Sequence, residues 1–226
     1  MVLAIATRGW SGWASCVDTW YVTAKNGWLR QYVVCNKDVL PAYQEALERT
    51  TQPIIAFIHD DVEIYEKNWD TRVLAEFSDP AVGMVGFAGA LGHGTPNLYT
   101  VPYYLPNLAR QNFLSNMRDA EKHGARFAGT CDVAILDGLA LFVRRSILEK
   151  AGGWPLDKPV GYYMYSEWLC CEARRQGYRI RLVGVDCKHL GGKTATLVQL
   201  KDDYQEAHRY FYENNRDVMP FRVEEK

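Results

Sequence analysis

Apolar positions along the chain recur with two periods, and the switches between them mark out the elements. Residues 2 to 7, VLAIAT, form an apolar run of strand length. Between 11 and 27, Trp13, Val17, Trp20 and Ala24 recur at helical spacing behind Ser11, a suitable cap. QYVVCN at 31 to 36 reads as a second strand, and Pro41 opens a helix in PAYQEALERT. A third strand lies in PIIAFIHDDVEIY at 53 to 65, where Ile54, Ile55, Ala56, Phe57 and Ile58 are continuously apolar, as in a strand covered on both faces. The first 61 residues therefore read β-α-β-α-β, which predicts a parallel sheet with right-handed crossovers.

The second half is less regular. Asn68 to Ser78 reads as a helix and VGMVGFAGA at 82 to 90 as one strand of small residues. Residues 91 to 130 are rich in turn formers and aromatics, with a helix expected near 107 to 123. CDVAIL and LALFV read as strands, and RRSILEKA as a helix stopped by Gly152 and Gly153. A helix in EWLCCEARRQ, a strand in YRIRLVG and a terminal helix over 197 to 216 complete the pattern, the last with Leu197, Leu200, Tyr204, Ala207 and Phe211 on one face. With 226 residues, 48% of them hydrophobic, the chain can bury one sizeable core. The expectation is a single α/β domain with a Rossmann-like, mixed but mostly parallel sheet flanked by helices. Near residue 90 the pattern changes character, which divides that domain into a regular half, 1–90, and a less regular one, 91–226.

Parallel crossovers carry successive strand ends to one edge, which gathers Thr7, Arg8, Asn36, Lys37, Asp38, Asp60 and Asp61 around one crevice. Two adjacent carboxylates at the end of a buried strand are costly unless a cation binds them. Oxygen ligands suit Mg²⁺ or Mn²⁺, whose natural companion is a nucleotide diphosphate; a capped strand end with solvated acids is the plain alternative. A formal net charge of -1, with RRQGYRIR at 174 to 181 as the one basic cluster, argues against a nucleic-acid partner. There is no apolar run of membrane-spanning length, and the opening MVLAIATRG lacks the pattern of a signal peptide, so a cytoplasmic location is expected. None of the six cysteines forms a CxxC pair, and they read as reduced core residues. GGKT at 191 to 194 is no P-loop, because Cys187 stands where that motif needs its first glycine.

Taken in order, QYVVCN, AYQEALERT, FIHDDVEI, LDGLALFVRRSILEKAGGW, SEWLCCEARRQGYRI and CKHLGG resemble the metal-dependent GT-A glycosyltransferases similar to glycosyltransferase family 2. The resemblance runs over nearly the whole chain. Gln44 stands where Asn is usual, and FIHDDVEI resembles the DxD-type motif with His59 in place of its first acid. What the resemblance implies is a GT-A-like fold with a nucleotide-binding half, 1–90, and an acceptor-binding and catalytic half, 91–226, with Asp61 on the metal and Asp60 toward the donor ribose or a metal-bound water. His189 matches a late histidine that some relatives use as a metal ligand, while Lys193 and Thr194 sit where a loop closes over the diphosphate.

The activity so implied is transfer of a sugar from a UDP- or GDP-type nucleotide-sugar donor to a carbohydrate or other hydroxyl acceptor, by single displacement with inversion. Attack by the acceptor calls for a base. Glu167, in SEWLCCEARRQGYR where relatives carry an acidic pair, is the first choice, with Asp137 and Glu172 as runners-up. Asp137-Gly138 resembles the family's acidic-Gly turn, which contacts sugar hydroxyls. Trp154 and Tyr103 or Tyr104 are candidates for stacking on a sugar face. Two other classes stand beside this one. A nucleotidyltransferase would want a richer glycine loop than ATRGWSG, and a non-catalytic sugar- or nucleotide-binding module would keep the fold without the base.

Overall fold

A computed structural model describes residues 1–26, 29–35, 37–94, 110–118, 120, 124–191, 200–219 and 221–223. The first half follows the apolar pattern closely. β1 (Val2–Thr7), α1 (Trp13–Val22), β2 (Arg30–Cys35), α2 (Val39–Arg49) and β3 (Ile54–His59) alternate, and β1 pairs in parallel with both β2 and β3. β4 (Val62–Ile64) and α3 (Trp69–Glu76) come next, then β5 (Val82–Gly86), β6 (Ala88–His93), β7 (Arg110–Ser115), β8 (Ala125–Arg126), β9 (Thr130–Asp132), β10 (Ile135–Leu136) and β11 (Ala140–Arg144). The chain continues through α4 (Arg145–Ala151), α5 (Gly161–Arg175), β12 (Arg179–Val183), β13 (Cys187–His189), α6 (Leu200–Asn214) and β14 (Phe221–Arg222).

The main sheet has seven strands in the order β2-β1-β3-β11-β5-β12-β9. β11 is antiparallel to both β3 and β5, and β9 to β12, so five of the seven strands share one direction, as expected of a mixed, mostly parallel sheet. A second sheet, β10-β6-β7-β8 with β14 also on β6, and a two-stranded ribbon of β13 and β4 lie beside it. Alternate residues of β3 pack into different cores: Ile55 and Phe57 join Tyr43, Trp154 and Leu169 on one face, while Ala56 and Ile58 join Trp20, Trp69 and Phe142 on the other. The strand is therefore covered on both sides, which is why it is apolar at every position. Among the described residues no helix is long and apolar enough to cross a membrane.

Four expectations are corrected here. The apolar run 82 to 90 is two strands, broken at Phe87, with β5 in the main sheet and β6 in the second. CDVAIL is likewise divided between β9 and β10 in different sheets. Part of the segment expected to be helical near 107 to 123 is the strand β7, paired along β6. Finally, α5 starts at Gly161, well before EWLCCEARRQ, and this changes which of its side chains meets the site.

Candidate metal centre and donor crevice

β3 runs out at His59 and the chain turns through Asp60 and Asp61 into β4. β13 then pairs antiparallel with β4, setting His189 opposite Val62, and the Leu190 N–H donates to the Asp61 carbonyl at 2.9 Å. This ribbon joins segments far apart in sequence and brings three side chains together. His189 Nε2 lies 3.2 Å from Asp61 Oδ1, His59 Nδ1 lies 3.4 Å from His189 Nε2, and His59 Nδ1 lies 4.0 Å from Asp61 Oδ1. Among the described residues these are the side chains grouped tightly enough to hold a metal ion, with one ligand atom from each within 4.8 Å of the others. Gly191 keeps the space beside them open: a Cβ there would lie 2.6 Å from His189 Nε2 and 2.9 Å from Asp61 Oδ2.

Electrostatics prepare the same group. Burial lowers the His59 pKa to about 4, helped by the neighbouring His189 and opposed by Asp61 and Asp137, so its imidazole is neutral near pH 7. Burial pushes the Asp61 carboxyl up, but the hydrogen bond and charge of His189, with His59, outweigh it and hold Asp61 below its usual value. An ionised carboxylate between imidazoles fits a divalent cation that accepts both oxygen and nitrogen, such as Mn²⁺. Asp60 differs from its neighbour. Burial raises its carboxyl, with Thr7 and Trp10 acting in the other direction as hydrogen-bonding neighbours.

Below the cluster, the Tyr165 hydroxyl lies 2.8 Å from His59 Nε2 and 3.1 Å from the Gly138 carbonyl oxygen. Gly138 belongs to the turn between β10 and β11. Asp137 Oδ1 accepts the Leu139 N–H at 3.1 Å, and the His59 N–H donates to the Leu139 carbonyl at 3.0 Å, which fastens the turn to the end of β3. Asp137 is only partly buried and acts electrostatically on His59, so the β10–β11 turn places one carboxylate within electrostatic reach of the cluster.

Residues 33–214 match the family described as glycosyltransferase-like. The chain belongs to that family. No curated protein matches it by sequence. Its fold is found in solved structures at low identity. One is the mannosyltransferase PcManGT from Pyrobaculum calidifontis in complex with GDP-Man and Mn²⁺, with a TM-score of 0.54 and 13% identity over 96% of this chain and 71% of that one. Another is GalNAc-T7 with UDP, GalNAc and Mn²⁺, with a TM-score of 0.56 and 9% identity over 83% of this chain and 43% of that one. A third is A197 from STIV, with a TM-score of 0.50 and 13% identity over 85% and 86% of the two chains. The family and these likenesses together give a GT-A fold of the family 2 type.

Within that family fold, most of the residues singled out from sequence fall into three groups. Asp61 and His189 meet at the cluster, and Asp137 and Gly138 border it. Thr7, Arg8, Lys37 and Asp60 line the ends of β1, β2 and β3. There Thr7 is buried, Arg8 pairs with Asp38 at 2.9 Å on the open surface, and Lys37 pairs with Glu45 of α2. Asn36, Lys193 and Tyr103 lie outside the described residues.

Glu167 and Trp154 stand outside all three groups. Glu167 is 2% exposed in the interior of α5, where its Oε2 accepts the Ser166 hydroxyl at 2.7 Å. Two residues along a helix turn the side chain by about 200°, so Glu167 leaves α5 on the side away from Tyr165. Nor does it stand at the helix N-terminus, since α5 begins at Gly161. Trp154 is 4% exposed and packs among Tyr43, Phe57, Tyr165 and Trp168, with centroids 4.9 to 6.0 Å away, so it is a core residue and not an open stacking surface. Gln44 turns out to hold this corner, its Oε1 accepting the Trp154 N–H at 2.9 Å. Two site residues had no role assigned from sequence. His59 was visible as the residue ending the apolar strand, whereas nothing in the sequence marked Tyr165.

Proposed function

We propose that this chain is a metal-dependent glycosyltransferase that moves a sugar from a UDP- or GDP-type nucleotide-sugar donor to a hydroxyl acceptor by single displacement with inversion. The observation that carries this reading is the group of His59, Asp61 and His189 at the sheet edge where the family fold ends its parallel strands. In this reading those three side chains hold Mn²⁺ or Mg²⁺. When bound, the ion supplies charge stabilisation to the departing nucleotide diphosphate. Asp60 and Thr7 orient the donor at the neighbouring strand ends, and Arg8 and Lys37 contribute positive charge at the mouth of the crevice. Mn²⁺ and nucleotides in the structures of PcManGT and GalNAc-T7 support the choice of ion and donor class.

Asp137 is the preferred base. It is reachable from solvent and acts electrostatically on His59, whereas Glu167 is buried on the far side of α5. Asp137 takes the proton from the acceptor hydroxyl as that oxygen attacks the sugar carbon and the bond to the diphosphate breaks. Removing such a base costs about 10²–10⁴-fold in turnover. Asp137→Asn is therefore expected to lose that much in kcat with donor binding retained, and Glu167→Gln far less. The reverse order returns the role to Glu167.

The first test is thermal unfolding with a panel of nucleoside diphosphates and nucleotide sugars, with and without Mn²⁺. One nucleotide is expected to stabilise the chain only with Mn²⁺, by about 2.7 kcal/mol at a hundredfold excess over Kd, and Asp61→Ala is expected to abolish the effect. Folded protein that responds to no nucleotide would overturn the reading. Stabilisation without turnover on any acceptor would favour a binding module.

A further inference from the structure

The contacts of one hydroxyl determine how the metal cluster is prepared. Tyr165 Oη is within hydrogen-bonding distance of an oxygen and of a nitrogen, the Gly138 carbonyl at 3.1 Å and His59 Nε2 at 2.8 Å. A phenol has one proton to give, and a carbonyl oxygen only accepts. Tyr165 therefore donates to Gly138, and its oxygen is left to accept from His59, which requires the proton of the neutral imidazole to sit on Nε2. The other ring nitrogen then carries no proton. That nitrogen, Nδ1, is the atom facing His189 Nε2 at 3.4 Å and Asp61 Oδ1 at 4.0 Å.

We propose that Tyr165 is a positioning residue that locks His59 in its Nε2–H tautomer and so presents the Nδ1 lone pair to the ion. The ion in this statement rests on the metal-dependent reading given above, whereas the tautomer does not. Three features make the lock rigid. Tyr165 is 3% exposed, its ring packed against Tyr43 and Trp154 with centroids 6.1 and 5.9 Å away. Its approach to the backbone requires glycine, since a Cβ on Gly138 would lie 2.1 Å from Tyr165 Oη. The turn carrying that carbonyl is itself fixed, by Asp137 N–H on the Ala88 carbonyl at 2.8 Å and His59 N–H on the Leu139 carbonyl at 3.0 Å. The imidazole is thus oriented before any ion arrives. Outer partners of this kind, which set ring orientation and tautomer, typically change metal affinity by about 10–100-fold when removed.

The test reads the tautomer directly. Long-range proton–nitrogen NMR of the metal-free chain with ¹⁵N-labelled histidine, assigned by the signal lost in His59→Gln, is expected to show His59 protonated on Nε2. In Tyr165→Phe, which keeps the ring, a mixture of tautomers is expected. Mn²⁺ affinity, followed by the electron spin resonance of the free ion, should fall about 10–100-fold in that variant. His59 protonated on Nδ1 in the wild-type chain overturns the proposal, as does Tyr165→Phe with unchanged tautomer and unchanged Mn²⁺ affinity. If Tyr165→Phe does not fold, the wild-type tautomer decides alone. Wild-type protein that shows Nε2–H but binds no Mn²⁺ supports the lock and overturns the metal-dependent reading, so the two failures are distinguishable.

Discussion

Two layers meet at Tyr165: the cluster of His59, Asp61 and His189 above it, and the aromatic layer of Tyr43, Phe57, Trp154 and Trp168 below. The upper layer is polar and partly open, its side chains 15%, 26% and 29% exposed, and its members come from the ends of two strands. The lower one is apolar, each of its rings at most 5% exposed and drawn from α2, β3, the segment after α4, and α5. Polar side chains held at a strand end have few packing contacts of their own. Their geometry is borrowed from the rigid layer below, through the single hydroxyl of Tyr165 and the ribbon of β13 and β4.

Substitutions that separate the two layers test this division. Trp154→Ala should have the largest effect, lowering stability by about 3–5 kcal/mol in urea unfolding because a buried indole leaves a cavity. A loss below about 1 kcal/mol would mean that the aromatic layer is not what holds the site. Asp61→Asn should do the opposite, leaving stability nearly intact while weakening Mn²⁺ binding by about 100-fold, or about 2.7 kcal/mol, by calorimetry. Asp60→Asn should lose less than about tenfold, since that carboxylate faces Thr7 and Trp10 and not the histidines. Equal losses at the two positions would erase the distinction drawn between these neighbouring acids.

Gly138→Ala strikes the junction. The added methyl displaces Tyr165, so stability should fall by about 1–3 kcal/mol, and Mn²⁺ affinity should fall with it. Unchanged Mn²⁺ affinity in a destabilised variant would uncouple the layers. Asp217→Asn touches neither and serves as a control with a small effect. Arg175 binds Asp217 through two contacts of 2.7 Å and holds its carboxyl below the usual 3.8. A carboxyl depressed in the folded chain stabilises fully above its unfolded value and loses that contribution as pH falls through the folded one. The variant should therefore be less stable by under about 1 kcal/mol at pH 7, the difference closing as an acid titration passes below 3.8.

Legibility differed between the halves for a physical reason. Between Val2 and His59, strands adjacent in the sheet are close in sequence, joined by helices whose own periodicity is clear, so local pattern was enough. Beyond Val82 the chain changes sheets within an apolar run. At Phe87 nothing in the run VGMVGFAGA signals the break, because both β5 and β6 bury their residues and hydrophobicity is the same on either side. CDVAIL passes from the half-buried β9 to the buried β10 with no glycine or proline between them to mark the change. In α5, the apolar segment GYYMY ahead of Ser166 gave no sign of continuing the helix back to Gly161, and without that start Glu167 passed for a residue at the helix entrance.

The sequence by itself determined the alternating first half, the placing of Asp60 and Asp61 at the end of a buried strand, and the family resemblance. All three rest on local order: period, an abrupt change from apolar to charged residues, and motifs read along the chain. The tertiary structure alone decided that His189 stands 3.2 Å from Asp61, that His59 joins them, and that Tyr165 rather than Glu167 faces the cluster. Those outcomes depend on a strand pairing between residues 62–64 and 187–189 and on the rotational phase of one helix, neither of which is a property of any short stretch of chain.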